Sequence, residues 1–236
     1  MTTRPIILAL DTQDITTAKG WISATRDSID IYKVGLEFFL RHGRAGLEEL
    51  RAHSDFELFL DLKLHDIPNT VAAAVKSVAD LHPKFLTVHA GGGAAMVKAA
   101  SQSAPEISIT GVTVLTSLST PEVAEIGFVK SPLETACDLA VMATKAGAKS
   151  IVSSPFEVGR IREVVGSDTT LITPGVRPVG SAKGDQQRVM TPVEAMRAGA
   201  DYLVIGRPIT GEWENSAAAM NTAAAQILRD IQSTFQ

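Results

Sequence analysis

The sequence predicts an α/β fold, a (β/α)8 barrel forming one domain over residues 1–236, and three observations predict it. Short runs rich in isoleucine, valine and leucine alternate with longer helical patterns, and the alternation repeats eight times along the chain. Strands separated by helices pair in parallel through crossovers, which leaves a doubly wound sheet or a closed barrel. No Gly-x-Gly-x-x-Gly follows the first strand, and eight units in 236 residues suit the barrel.

The first unit pairs a strand at 6–11, "IILALD", with a helix at 15–25. The second sets a strand at 29–35 before a helix at 36–52, and the third a strand at 57–63 before a helix at 68–81. Pro68 suits the first turn of that third helix. A strand at 85–89 and a helix at 94–102 follow. Between them "GGGAAM" resembles a phosphate loop but lacks the Lys-Ser/Thr of one. The remaining strands are expected at 107–115, 150–153, 170–173 and 202–206, and the remaining helices at 132–146, 157–165, 192–198 and 217–232. Gly147 and Gly199, in "TKAGAK" and "MRAGAD", read as the residues just past helix ends. No linker or composition break divides the chain. The long apparent loop at 173–191 has the length of functional loops.

Composition removes several classes of function. A net charge of −4 gives no general attraction to nucleic acid or anionic membrane, and no basic stripe is present. No apolar run approaches the ~20 residues of a membrane span. The opening "MTTRPIILALD" is too short in its apolar part for a signal peptide and stops at Asp11, so the chain is expected in the cytoplasm. The single cysteine, Cys137, cannot form an internal disulfide and reads as a small buried core residue. Five histidines, none in metal-ligand spacing, make no positive case for a metal. His65 reads as a loop residue and His89 as a hydrogen-bonded structural one.

The strand ends carry the chemistry. Alternate residues of a barrel strand point inward, and active sites sit at the C-terminal rim. Asp11 is in phase with Ile7 and Ala9, and Lys33 with Ile31 and Gly35. In "FLDLK", Asp61 and Lys63 share one face while Leu60, Leu62 and Leu64 take the other. Three neighbouring strands thus deliver Asp, Lys and Asp-x-Lys to one end. Buried charges need partners, and Lys33 and Lys63 set against Asp61 and Asp66 would be neutral together. Such a network keeps Lys63 protonated, able to stabilise a carbanion and to give it a proton. An inert salt-bridge plug is the competing explanation, and for Asp66 a dipole-stabilising place before a helix.

At the other side of the rim the sequence suggests a phosphate grip. The loops after strands 7 and 8 often bind phosphate in barrels. Here they are "PGVRPVGSAKGDQQR" and "IGRPIT", offering Gly206 for close approach, Arg207 for bidentate contact and Gln186 within reach of the same anion. A loop closing over the anion would exclude water.

Taken together, "LALD", "YKVG", "DLKLHDIPNT", "TVHA", "TVLTS", "TPGVRP…GDQQR" and "VIGRPIT" resemble the bacterial form of the orotidine 5′-phosphate decarboxylase family. The resemblance runs in order from the first strand to the last. It implies a barrel that converts orotidine 5′-monophosphate to uridine 5′-monophosphate, the last step of de novo pyrimidine synthesis, with neither cofactor nor metal. It also implies roles. Lys63 protonates the C6 carbanion, and Asp61 lies by the departing carboxylate. Lys33 and Asp66 complete the charged array, with Asp66 and Thr70 supplied by the partner in a homodimer. Asp11 and Lys33 contact the ribose, and Ile67 also touches substrate. Thr116 lies near the pyrimidine with Ser119 as its neighbour, and which of them makes the main contact stays open. Arg177, Gln186, Gly206 and Arg207 hold the phosphate. Two other readings are a metal-dependent relative, such as a 3-keto-gulonate-phosphate decarboxylase or a hexulose-phosphate synthase, and a non-catalytic nucleotide-binding barrel. The metal-dependent relatives resemble this chain in Asp-x-Lys-x-x-Asp but carry an acidic magnesium ligand in place of Lys33.

Overall fold

Eight parallel strands close in sequence order, with the last pairing back on the first. The computed structural model describes residues 4–178 and 190–234. The strands are β1 (Ile6–Ala9), β2 (Ile31–Gly35), β3 (Glu57–Leu64), β4 (Phe85–His89), β5 (Ser108–Val112), β6 (Ser150–Val152), β7 (Thr170–Pro174) and β8 (Tyr202–Ile205). The helices are α1 (Ile15–Thr25), α2 (Leu36–His53), α3 (Pro68–Val78), α4 (Ala94–Ser103), α5 (Thr120–Glu125), α6 (Pro132–Lys145), α7 (Val158–Val165), α8 (Pro192–Arg197), α9 (Arg207–Thr210) and α10 (Ala217–Gln232). Among the described residues no helix is long and apolar enough to cross a membrane.

The period of two sorts each strand into two cores. Ile7, Ala9, Ile31, Phe59, Phe85 and Tyr202 fill the barrel, with Phe85 edge-on to both Phe59 and Tyr202. Their neighbours, such as Leu8, Tyr32, Leu58, Leu60 and Leu86, point outward and pack under the helices. Each such buried side chain is worth about 1.5–3 kcal/mol of transfer from water. At the N-terminal end of the barrel Lys84 reaches the Glu57 carboxylate at 2.6 Å and lies 5.6 Å from the Tyr202 ring centroid. That lid of charge and aromatic rings leaves the opposite rim as the open end.

The expected strands and helices are present, and the differences have local causes. α2 is interrupted at Gly43, where the backbone leaves helical angles. α5 and α9 were not expected, being too short to show a periodic apolar face. α5 nevertheless starts with a capping box, in which Ser119 and Glu122 bond each other as Ser131 and Glu134 do at α6. Within the triple glycine, packing constrains Gly92, where a Cβ would lie 2.2 Å from the Met96 sulfur, while Gly93 takes a left-handed φ of 87°. Cys137 is half-buried on α6 rather than wholly buried, and burial pushes its thiol pKa up.

Gly147 and Gly199 end α6 and α8 as expected, with φ of 106° and 111°. In each case the next two amide groups turn back onto the helix: Gly199 N–H reaches the Met196 carbonyl and Ala200 N–H the Ala195 carbonyl. This double return requires a left-handed residue. A Cβ on Gly199 would also sit 3.1 Å from Arg162. Gly199→Ala is expected to cost about 1–2 kcal/mol of stability, read as a lowered Tm in thermal unfolding, with the rim of the barrel unaffected.

Candidate active site

β2 and β3 run side by side, in register from Ile31 opposite Glu57 to Gly35 opposite Asp61. Their inward positions near the rim are Lys33 and Asp61. The Lys33 ammonium lies 3.1 Å from Asp11 and 3.5 Å from Asp61, and Lys63 donates to both Asp61 carboxylate oxygens at 2.8 Å. The result is an unbroken alternation of sign, Asp11–Lys33–Asp61–Lys63. Asp61 and Lys33 are almost enclosed, Lys63 is about one-third exposed and Asp11 is open to the cavity mouth.

Lys63 reaches this position through a fault in the strand. From Leu60 opposite Leu86 the register jumps to Leu64 opposite Val88, so β3 carries two residues more than β4 over that stretch. Lys63 takes up the slack with φ of 47°, a left-handed conformation costly for a side-chain-bearing residue. Its backbone N–H has no carbonyl from β4 to meet. It donates instead to the Thr87 hydroxyl at 2.7 Å, which donates in turn to Asp61 at 2.9 Å.

Electrostatics fix the charge states. Burial pushes Asp61 upward, but the charges of Lys33 and Lys63, with hydrogen bonds from Lys63 and Thr87, outweigh it and hold the carboxyl below its ordinary range. Burial works on Lys33 in the opposite sense, and the charges of Asp11 and Asp61 outweigh it too, raising the ammonium above its ordinary value. Because Asp61 is depressed, its charge contributes stability fully above the unfolded value of 3.8, and the contribution is lost as pH falls through the folded value. The raised Lys33 contributes fully below 10.5 and loses its share as pH rises through its folded value. The stability gap between wild type and Asp61→Asn is therefore expected to be level from about pH 5 to 9 and to shrink only at more acid pH. Thermal unfolding extended to acid pH checks it; a gap that stays level throughout would show an unshifted carboxyl, and a gap that widens as pH falls would show a raised one.

These groups line a cavity of about 290 Å³ at the C-terminal rim, whose wall includes Asp11, Lys33, Asp61 and Lys63. Thr116, Arg177, Gly206 and Arg207 line it as well. Apolar strand residues such as Phe59, Val112 and Val204 form its floor. Arg207 opens α9 and Gly206 precedes it; a Cβ on Gly206 would meet only ordinary contacts at 3.6 Å and beyond, so packing within the chain does not demand glycine there. Arg177 is buried, and its N–H donates to the Met190 carbonyl beside a Val176–Met190 bridge that pins the stem of the loop. Gln186 lies outside the described residues.

Four other expected site residues stand apart from this cavity. Asp66, Ile67 and Thr70 are exposed at the start of α3, where Asp66 accepts the Ile67 N–H at 2.6 Å. Asp66 is not within the alternating row of its own chain. Ser119 is outside the cavity wall, and its hydroxyl donates to Glu122 at 2.5 Å as the start of α5. His89 sets its ring at a 40° tilt to that of His65, with centroids 5.4 Å apart, and burial followed by the charges of His65 and Lys63 lowers its pKa. Thr87 went unread in the sequence, although the period of two places it inward between Phe85 and His89. A larger groove of about 760 Å³ lies on the helical shell between α4, α6 and α7. Its wall is apolar with exposed ion pairs such as Lys130–Asp138, away from the strand ends where barrels do chemistry.

Fold and cavity thus define a (β/α)8-barrel enzyme whose centre is a row of alternating lysines and aspartates. The orotidine 5′-phosphate decarboxylase / HUMPS family model matches residues 4–222, and the chain belongs to that family. It is 53% identical over 220 residues to the orotidine 5′-phosphate decarboxylase of Thermobifida fusca, covering 93% of this chain and 94% of that one. It is 46% identical over 237 residues to the same-named protein of Frankia casuarinae, covering 93% of this chain and 86% of that one. The crystal structure of orotidine 5′-phosphate decarboxylase from Lactobacillus acidophilus superposes with a TM-score of 0.81 at 34% identity, covering 95% of this chain and 99% of that one.

Proposed function

We propose that this chain decarboxylates orotidine 5′-monophosphate to uridine 5′-monophosphate in the cytoplasm, as a homodimer with shared active sites and without a cofactor. The observation that carries the reading is the alternating row Asp11–Lys33–Asp61–Lys63 along a cavity that also presents Gly206 and Arg207. With the phosphate held by Arg207 and Arg177, and the ribose by Asp11 and Lys33, the substrate carboxylate comes to rest near Asp61. The bond from C6 to the carboxylate breaks, its electron pair stays on C6 and carbon dioxide leaves. The Lys63 ammonium opposes the developing negative charge and then gives C6 a proton, to be replaced from solvent. Binding energy from the remote phosphate is available to organise the charged end.

Three features support the shared site. Asp66 and Thr70 lie on the outer rim, exposed Ile67 stands between them, and exposed Leu36 and Leu40 follow the neighbouring strand at the same end of the barrel. An apolar rim around a carboxylate suits a second copy that receives Asp66 into its own cavity. A magnesium-dependent activity is disfavoured by Lys33, whose ammonium sits between Asp11 and Asp61 and would repel a divalent ion there. The test is the loss of orotidine monophosphate absorbance with purified protein in excess chelator. Decay is expected; binding without decay would identify a nucleotide sensor, and decay abolished by the chelator would identify the metal-dependent relative.

A further inference from the structure

We infer that Thr87 is a positioning residue for this reaction: its hydroxyl couples the left-handed Lys63 backbone to the Asp61 carboxylate and so sets the ammonium before substrate arrives. The inference rests on the function proposed above. Thr87 is fully buried and does not line the cavity, so it does not touch substrate. Its hydroxyl has one proton to give and lone pairs to receive. The Lys63 N–H can only donate and the ionised Asp61 can only accept, which leaves one direction for the Thr87 proton, toward Asp61. The two bonds, 2.7 and 2.9 Å long, close a small ring with the Lys63–Asp61 ion pair.

The register jump explains why that ring is needed. A strand in register would offer Lys63 a carbonyl partner; the two extra residues of β3 remove it. A buried N–H without a partner is costly, and a left-handed lysine persists only where its surroundings hold it. Thr87 does both tasks from an inward site on β4. Without the hydroxyl, only the ion pair to Asp61 is left to fix how far the Lys63 ammonium projects, and proton transfer is sensitive to sub-ångström placement.

The variant that tests this is Thr87→Val, which keeps the branched shape and removes the hydroxyl. Its kcat on orotidine monophosphate is expected to fall on the order of 10- to 100-fold, as for lost groups that orient a reacting side chain, with KM changed by less than about 3-fold because the phosphate is held elsewhere. Thr87→Ser, which restores the hydroxyl, is expected to recover most of kcat. A Thr87→Val enzyme with unchanged kcat, a Thr87→Ser enzyme as impaired as Thr87→Val, or a loss confined to KM or Tm would each overturn the inference. Should Thr87→Val fail to fold, Thr87→Ala compared with Thr87→Ser carries the same contrast. Wild-type protein without turnover would refute the proposed function itself, whereas an active wild type with an indifferent Thr87 refutes only this step.

Discussion

Lys63→Ala is expected to reduce turnover of orotidine monophosphate by at least about 10⁴-fold while the barrel stays folded and the nucleotide still binds. The rate loss combines two effects, removal of the proton donor and removal of the positive charge facing the carbanion, each worth orders of magnitude alone. Folding is expected to survive because Asp61 keeps Lys33 at 3.5 Å and the Thr87 hydroxyl at 2.9 Å. Alanine at 63 inherits the same left-handed backbone, with φ of 47°, so it neither relieves nor adds much strain. Binding is expected to change little, since Arg207 and Gly206 belong to a different loop of the cavity. Circular dichroism, a nucleotide titration and the absorbance assay separate the three quantities. Undiminished decay in this variant would remove Lys63 from the mechanism.

The second large effect is a rescue. Asp66→Asn alone is expected to be nearly inactive if, as proposed, its carboxylate completes the charged array of the neighbouring subunit. Mixing it with Lys63→Ala under conditions that exchange subunits produces hybrid dimers in which one of the two sites has both native groups. Random pairing makes half of the dimers hybrids, so recovery to about a quarter of wild-type activity is expected. The absorbance assay before and after mixing reads it, with exchange verified by differently tagged chains. No recovery despite exchange would mean that Asp66 serves its own barrel or none, a result its exposed place outside the row argues against.

Most of this site could be read before any coordinates because alternation along a barrel strand is a strict rule. Once β3 is recognised, Asp61 and Lys63 must share a face, and the paired registers of β1 and β2 bring Asp11 and Lys33 to the same end. The parts that escaped are those that depend on a partner. The slack in β3 exists only relative to β4, so neither the left-handed Lys63 nor the use of Thr87 can be seen within either strand. The resemblance implies that Ser119 neighbours the substrate; Thr120, Pro121 and Glu122 after it form the start of a helix that it caps. The helix was too short for an apolar period to announce it. Asp66 is a third case: alternation places it beside the other charges, the resemblance implies that it serves a partner, and its exposure within one chain supports that reading.

The closure of β8 onto β1 bears on how the protein comes into being. Asp11 and Arg207 stand near opposite ends of the polypeptide but line one cavity, and Ile7 lies in register with Val204 across the seam. During synthesis, a chain that has not yet emerged past β8 has neither the final wall nor one of its arginines. The charged row on the first three strands thus gains its facing wall and Arg207 only through the pairing of β8 with β1.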